Sequence, residues 1–239
     1  MKKQVIERFI QKYNLNGNVN SVKLTISNNK LSTAFVTPDK SLLGVLSMDK
    51  FDFEDCKLGI YDTNQLSKML SVVDNDINLS VDSIGDKNIS ISVTSGKLSF
   101  NYVLSDLSVI PEPPKLKHIP EFGAKIKLNS QFVSSFVKSK NALSDIDSFA
   151  VVNNDGSLEC VIGYSSTNTN KINIDAELDG DCDLDKPILF NANLFKEVLS
   201  ANKECETGIF EVSDEGLSRI TFNIDDYKVI YYLVSMSQV

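Results

Sequence analysis

The sequence predicts an α+β protein made of two similar domains, and three observations predict it. One plan recurs along the chain at an offset of roughly 127 to 131 residues. Each copy holds two short segments whose apolar residues repeat with helical period. The remaining segments are short, β-branched and bounded by Asn, Asp, Ser or Gly, as strands are. At 239 residues the chain suits two domains, each long enough to bury its own core.

The first copy opens with a helix over 2–13, where Val5, Ile6, Phe9, Ile10 and Tyr13 share a face. Strands are expected over 22–26, 31–36 and 43–46. An apolar strand over 58–61 then runs into a helix over 63–73, whose stripe is Leu66, Met69, Leu70 and Val73. Strands over 77–81, 89–93 and 98–104 close this copy. In the second copy a strand over 124–128 leads to a helix over 130–141, with Phe132, Val133, Phe136 and Val137 on its apolar face. Strands follow over 149–152, 158–163 and 171–178. The strand–helix unit returns as 188–190 and 192–203, with Leu194, Phe195, Val198 and Leu199, and strands over 209–212, 217–224 and 229–234 finish the chain.

Between the copies, residues 108–121 carry four of the six prolines. That density prevents helix and disfavours paired strand, so the segment reads as an extended connector between domains 1–107 and 122–239. Val109, Ile110, Leu116 and Ile119 are expected to be exposed on it, where they could help form a groove for a partner peptide.

Composition excludes several classes. No run approaches the ~20 apolar residues of a membrane span, and the charged N-terminus is no signal peptide, so a cytoplasmic protein is expected. Cys56, Cys160, Cys182 and Cys205 form no Cys-x-x-Cys pair and read as reduced thiols. His118 is the only histidine, which leaves zinc short of ligands, and nothing beside it would orient a general base. The acidic turn 179–185 begins like a calcium loop but has Leu184 where glycine belongs and Phe190 where glutamate belongs. With no phosphate loop, nucleophile elbow or carboxylate pair, neither catalysis nor a metal or cofactor is expected.

Charge is segregated. The chain carries a formal −8, yet the four helical segments hold nine basic and two acidic residues, so they stand at +7 against −15 elsewhere. Arg8, Lys68, Lys138 and Lys196 each lie opposite an apolar stripe. Lys3 and Lys12 flank the first helix and Lys203 lies on the far side of the fourth. Lys140 falls near an apolar side, so it either snorkels or lies past the helix end. A solvated face would account for any one of these cations; four such faces in an acidic chain instead focus a positive field, as a phosphate backbone would require.

This plan resembles the sliding DNA clamps, the polymerase processivity factors, and within them the trimeric clamps of tailed bacteriophages. The segment 51–66, Phe-Asp-Phe-Glu-Asp-Cys-Lys-Leu-Gly-Ile-Tyr-Asp-Thr-Asn-Gln-Leu, is similar to their first-half strand–helix junction, and the likeness is specific over about 50–105. The segment 144–169 departs from the pattern. The resemblance implies two processivity-fold domains per chain, helices on the inner face, sheets outside, and three chains in a ring. It further implies sequence-independent binding of double-stranded DNA by Lys3, Arg8, Lys12, Lys68, Lys138, Lys140, Lys196 and Lys203. Subunits would join through Leu98, Phe100 and Tyr102 of one copy and Ile172, Ile174 and Ala176 of the next. A DNA polymerase and an ATP-dependent clamp loader would dock in a groove of Leu43, Val109, Ile110, Pro111, Tyr232 and Val234, in an infected bacterial cell if a phage encodes the chain. Two other readings compete: a small hydrolase with its site between the halves, and a virion structural β protein that forms no ring.

Overall fold

Two folding units divide the chain, the first comprising residues 1–38 and 44–114 and the second residues 39–43 and 115–239. The computed structural model describes residues 1–154, 156–167 and 169–236.

The first unit begins with α1 (Lys3–Asn14) and strands β1 (Val22–Ser27), β2 (Lys30–Val36), β3 (Leu42–Met48) and β4 (Cys56–Ile60), ordered β4-β1-β2-β3 in their sheet. Asn28 and Asn29 turn β1 into β2 with φ of 53° and 57°, a left-handed pair that asparagine tolerates better than most residues. After α2 (Thr63–Ser71), strands β5 (Asn78–Ile84), β6 (Lys87–Ser95) and β7 (Leu98–Val103) form a separate three-stranded sheet with β7 at its edge. The second unit runs β8 (Ala124–Asn129), α3 (Ser130–Ala142), β9 (Ser148–Asn154), β10 (Ser157–Ile162) and β11 (Ile172–Ala176). It continues with β12 (Ile188–Asn191), α4 (Ala192–Ala201), β13 (Thr207–Val212), β14 (Leu217–Ile224) and β15 (Tyr227–Val234). Its strands are ordered β11-β10-β9-β12 in one sheet and β15-β14-β13-β8 in the other.

The repeat survives in the hydrogen bonding. Asn129, the residue before α3, pairs with Thr207 at the start of β13. Lys2, the residue before α1, forms a single antiparallel bridge with Asp76 just before β5. These partners lie 127 and 131 residues apart in sequence, so the first unit keeps one bridge where the second has all of β8.

Side chains start the last three helices. Asp62, Asn129 and Asn191 accept from the backbone N–H of Gln65, Phe132 and Leu194, each relieving a donor that the first turn leaves unpaired. Burial then decides which face each helix turns inward. In the second unit Phe136, Phe149, Phe190, Phe195 and Phe210 are all inaccessible and meet in T-shaped and tilted pairs, with Phe136 and Phe195 4.8 Å apart. In the first, Phe9 and Tyr13 of α1 lie edge to face at 6.0 Å, and burial pushes the Tyr13 hydroxyl, bonded to Thr63, far above its usual range.

Several expected elements move. β11 is shorter than 171–178 because the chain turns away to a second partner: Lys127 N–H donates to Glu177 O, and Asp179 N–H to Lys125 O. α4 stops at Ala201, so Lys203 lies in the turn after the helix. Ile110 is buried rather than exposed, at 2%. It packs against Gly59, where an added Cβ would lie 3.6 Å from Ile110 Cγ1 and 2.3 Å from Ser105 O. Only a residue without a side chain lets the chain cross β4 there.

The aromatic cluster predicts its own test. Phe149→Ala should cost about 3–5 kcal/mol in urea unfolding monitored by circular dichroism, through lost burial and the cavity left behind. Gly59→Ala should destabilise as well, since its neighbour is backbone and cannot step aside.

Candidate nucleic-acid interface

Within each unit the two helices pack side by side, α1 on α2 and α3 on α4. Their apolar faces are inside, aromatic in α1, α3 and α4 and aliphatic in α2, so their polar faces form the candidate surface. On α1 the outward row is Gln4, Arg8 and Gln11; on α2 it is Asn64, Lys68 and Ser71. On α3 it is Gln131, Ser134, Lys138 and Asn141, and on α4 Asn193, Lys196 and Ser200. Spacings of three and four put each row on one helical face. Every row carries one cation among amides and hydroxyls, and a half-buried carboxylate flanks two of them, Glu7 on α1 and Glu197 on α4.

The eight expected cations separate into groups. Lys68, Lys138 and Lys203 are exposed and make no ion pair among the described residues. Arg8 is half-buried. Lys196 is also half-buried, pairs with Glu197 at 3.3 Å and reaches Asn141 Oδ1 on the neighbouring helix at 3.5 Å. Lys3 turns its ammonium to Val73 O at 2.7 Å, past the end of α2, and lies 3.6 Å from Glu7.

Two expectations are overturned. Lys12 is fully buried, and Lys140 is 3% exposed. Lys140 Nζ donates to Leu143 O at 3.3 Å and Ser144 O at 2.9 Å, so it snorkels along its own helix and serves as a C-terminal cap. An ammonium desolvated in this way is not offered to a phosphate. Both residues lie toward the apolar side of their helices, a position that helical projection exposes for Lys140. The amides of the outward rows are neutral, so the segregation of charge along the sequence does not point to them.

The expected subunit residues lie on two edge strands, β7 and β11. Leu98 of β7 is 51% exposed, Phe100 half-buried and Tyr102 buried, its hydroxyl donating to Asp62 O at 3.0 Å. Ile174 of β11 is buried, while Ile172 and Ala176 are half-buried. An open cleft of about 600 Å3 runs between α3 and β11, lined by Phe132, Ser135, Ser139, Ile174 and Ala176 among others. Of the expected groove, Val109, Ile110 and Pro111 belong to the first unit and Leu43, Tyr232 and Val234 to the second. Val234, 47% exposed, donates its N–H to Ser41 O.

The fold matches solved structures over nearly its whole length. Proliferating cellular nuclear antigen (PCNA) from Entamoeba histolytica superposes with a TM-score of 0.74 at 17% identity, covering 99% of this chain and 96% of that one. PCNA from A. fulgidus, solved with the C-terminal region of FEN-1 bound, gives 0.78 at 14% identity, covering 100% and 98%. The PCNA2–PCNA3 complex from Sulfolobus tokodaii gives 0.74 at 13%, with the same coverage. The chain has the sliding-clamp fold. No protein-family model matches this clamp-fold chain, and neither does any curated protein sequence. No helix among its described residues is long and apolar enough to cross a membrane.

The two kinds of lysine predict opposite outcomes. Lys140→Ala should lower unfolding stability by about 1–3 kcal/mol, because two carbonyls lose a charged donor. Lys138→Ala, on an exposed face, should stay within about 0.5 kcal/mol of the parent in the same urea titration.

Proposed function

We propose that this chain is a sliding clamp, three copies of which close into a ring that encircles double-stranded DNA and tethers a DNA polymerase. One observation carries the reading: on a clamp fold, all four helices turn outward a cation set among amides and hydroxyls, while the rest of the chain is acidic. Such a face matches a duplex, whose phosphates repeat about every 1.7 Å and carry no sequence information. Sparse cations give weak contacts that exchange from phosphate to phosphate, and neutral amides add hydrogen bonds without immobilising the ring. The acidic remainder repels DNA from other surfaces. The clamp performs no chemistry; its work is to keep an enzyme on its template.

Ring closure joins β7 of one copy to β11 of the next, since both are edge strands with one apolar face. Partners dock outside the ring. The C-terminal region of FEN-1 bound to A. fulgidus PCNA supports a clamp-fold surface that takes a peptide from a DNA enzyme. Here Leu43, Tyr232 and Val234 are the anchors we assign to a polymerase or loader peptide. A loader of the ATP-driven type opens the ring.

Alanine at Arg8, Lys68, Lys138 and Lys196 together should abolish processive synthesis and flatten the salt dependence of DNA binding, while each single change is nearly silent. Full processivity in the quadruple variant would reduce these residues to solvated charges. Proline at Asn173 removes a donor from β11 and should weaken a trimer seen by light scattering. Tyr232→Ala should weaken binding of the polymerase's clamp peptide roughly tenfold or more and leave the trimer intact.

A further inference from the structure

Both edge strands have ends marked by other hydrogen bonds, and this limits how they can meet. At the end of β7, Leu104 N–H still donates to Ile89 O of its neighbour β6, whereas Ser105 N–H turns to Gly59 O of β4, so the run with a free edge is 98–103. Beyond β11, Glu177 O is taken by Lys127 N–H and Asp179 N–H by Lys125 O, so the free run ends at Ala176 and starts at Ile172.

The faces restrict the pairing further. On β7 the apolar side chains are Leu98, Phe100 and Tyr102, and the alternate positions are Ser99, Asn101 and Val103. On β11 they are Ile172, Ile174 and Ala176, alternating with Asn173 and Asp175. Directly opposed residues of an antiparallel pair point to the same face, so a slip of one residue would set Phe100 against Asp175. A slip of two either way leaves an apolar residue of one strand opposite chain that has left the other.

We propose that, given the ring described above, two copies of this chain join in one register: Leu98 opposite Ala176, Phe100 opposite Ile174, and Tyr102 opposite Ile172. All five β11 residues are then paired, and Ser99 meets Asp175 while Asn101 meets Asn173. No like charges are opposed, and Lys97 falls opposite Glu177 at the polar end. Phe100 is the anchor. It is half-buried in its own copy, and this register carries it toward the cleft between α3 and β11, against Ile174 and Phe132. A large side chain entering a preformed cleft concentrates binding in one position.

The test is cysteine cross-linking in the full chain with Cys56 and Cys182, the two half-exposed thiols, changed to serine. Opposed residues bring Cα atoms within the ~4.4–6.8 Å of a disulfide, whereas diagonal neighbours lie farther apart. S99C with D175C should give a covalent trimer on oxidation, and S99C with N173C or with E177C should link far more slowly. Phe100→Ala should raise the trimer's dissociation midpoint at least tenfold without altering the monomer's far-ultraviolet spectrum. A trimer whose fastest link is one of the slipped pairs, or which tolerates Phe100→Ala, overturns this register and leaves the ring standing. A chain that stays monomeric at all concentrations overturns the ring and the register together.

Discussion

The faces that the helices offer to a partner depend on the burial of apolar side chains beneath them, aromatic in α1, α3 and α4 and aliphatic in α2. Phe9 and Tyr13 hold α1, and Phe136 and Phe195 hold α3 and α4 in an interior where Phe149, Phe190 and Phe210 complete the packing. An α-helix has one azimuth, so fixing the inner face fixes the outer one. Rings of this size bury 150 Å2 or more each, far more than any exposed lysine gains from its surroundings. The direction of the cations is therefore a by-product of the core, and the core has no freedom to aim them elsewhere.

The same constraint explains why some lysines are unavailable. A lysine displaced toward the inner face must bring its ammonium to an acceptor or leave it buried without one, and Lys140 finds the carbonyls of Leu143 and Ser144. Lys3 does likewise at Val73 O. These residues hold helix ends, while Lys68 and Lys138, on the exposed faces of α2 and α3, make no ion pair among the described residues. Positive charge in the helices thus divides into a structural share and a surface share. The weakness of the surface share suits the ring we propose, which would hold DNA without gripping it, because one strong site would act as a brake.

Much of the fold was legible. Helical period in four segments and alternation in the strands are local patterns, and the offset between copies is a comparison of one such pattern with another. The departures came from long-range contacts. Nothing near Ile110 announces that Gly59, fifty-one residues earlier, leaves room for it. Nothing in 171–178 says that Glu177 will leave its sheet for Lys127. The same holds for the site: the sign and face of Arg8, Lys68, Lys138 and Lys196 follow from projection, whereas the depth of Lys12 depends on what packs over it, which projection omits.

We propose that this clamp-fold chain holds DNA by topology. The most direct measurement mixes dissociated subunits with nicked circular plasmid, allows assembly, and passes the mixture through a sizing column in high salt. The account predicts that protein elutes with the circular plasmid and is released when a single restriction cut linearises it. Protein that leaves the circle and the linear form equally in high salt would contradict encirclement and reduce the interaction to ordinary surface charge.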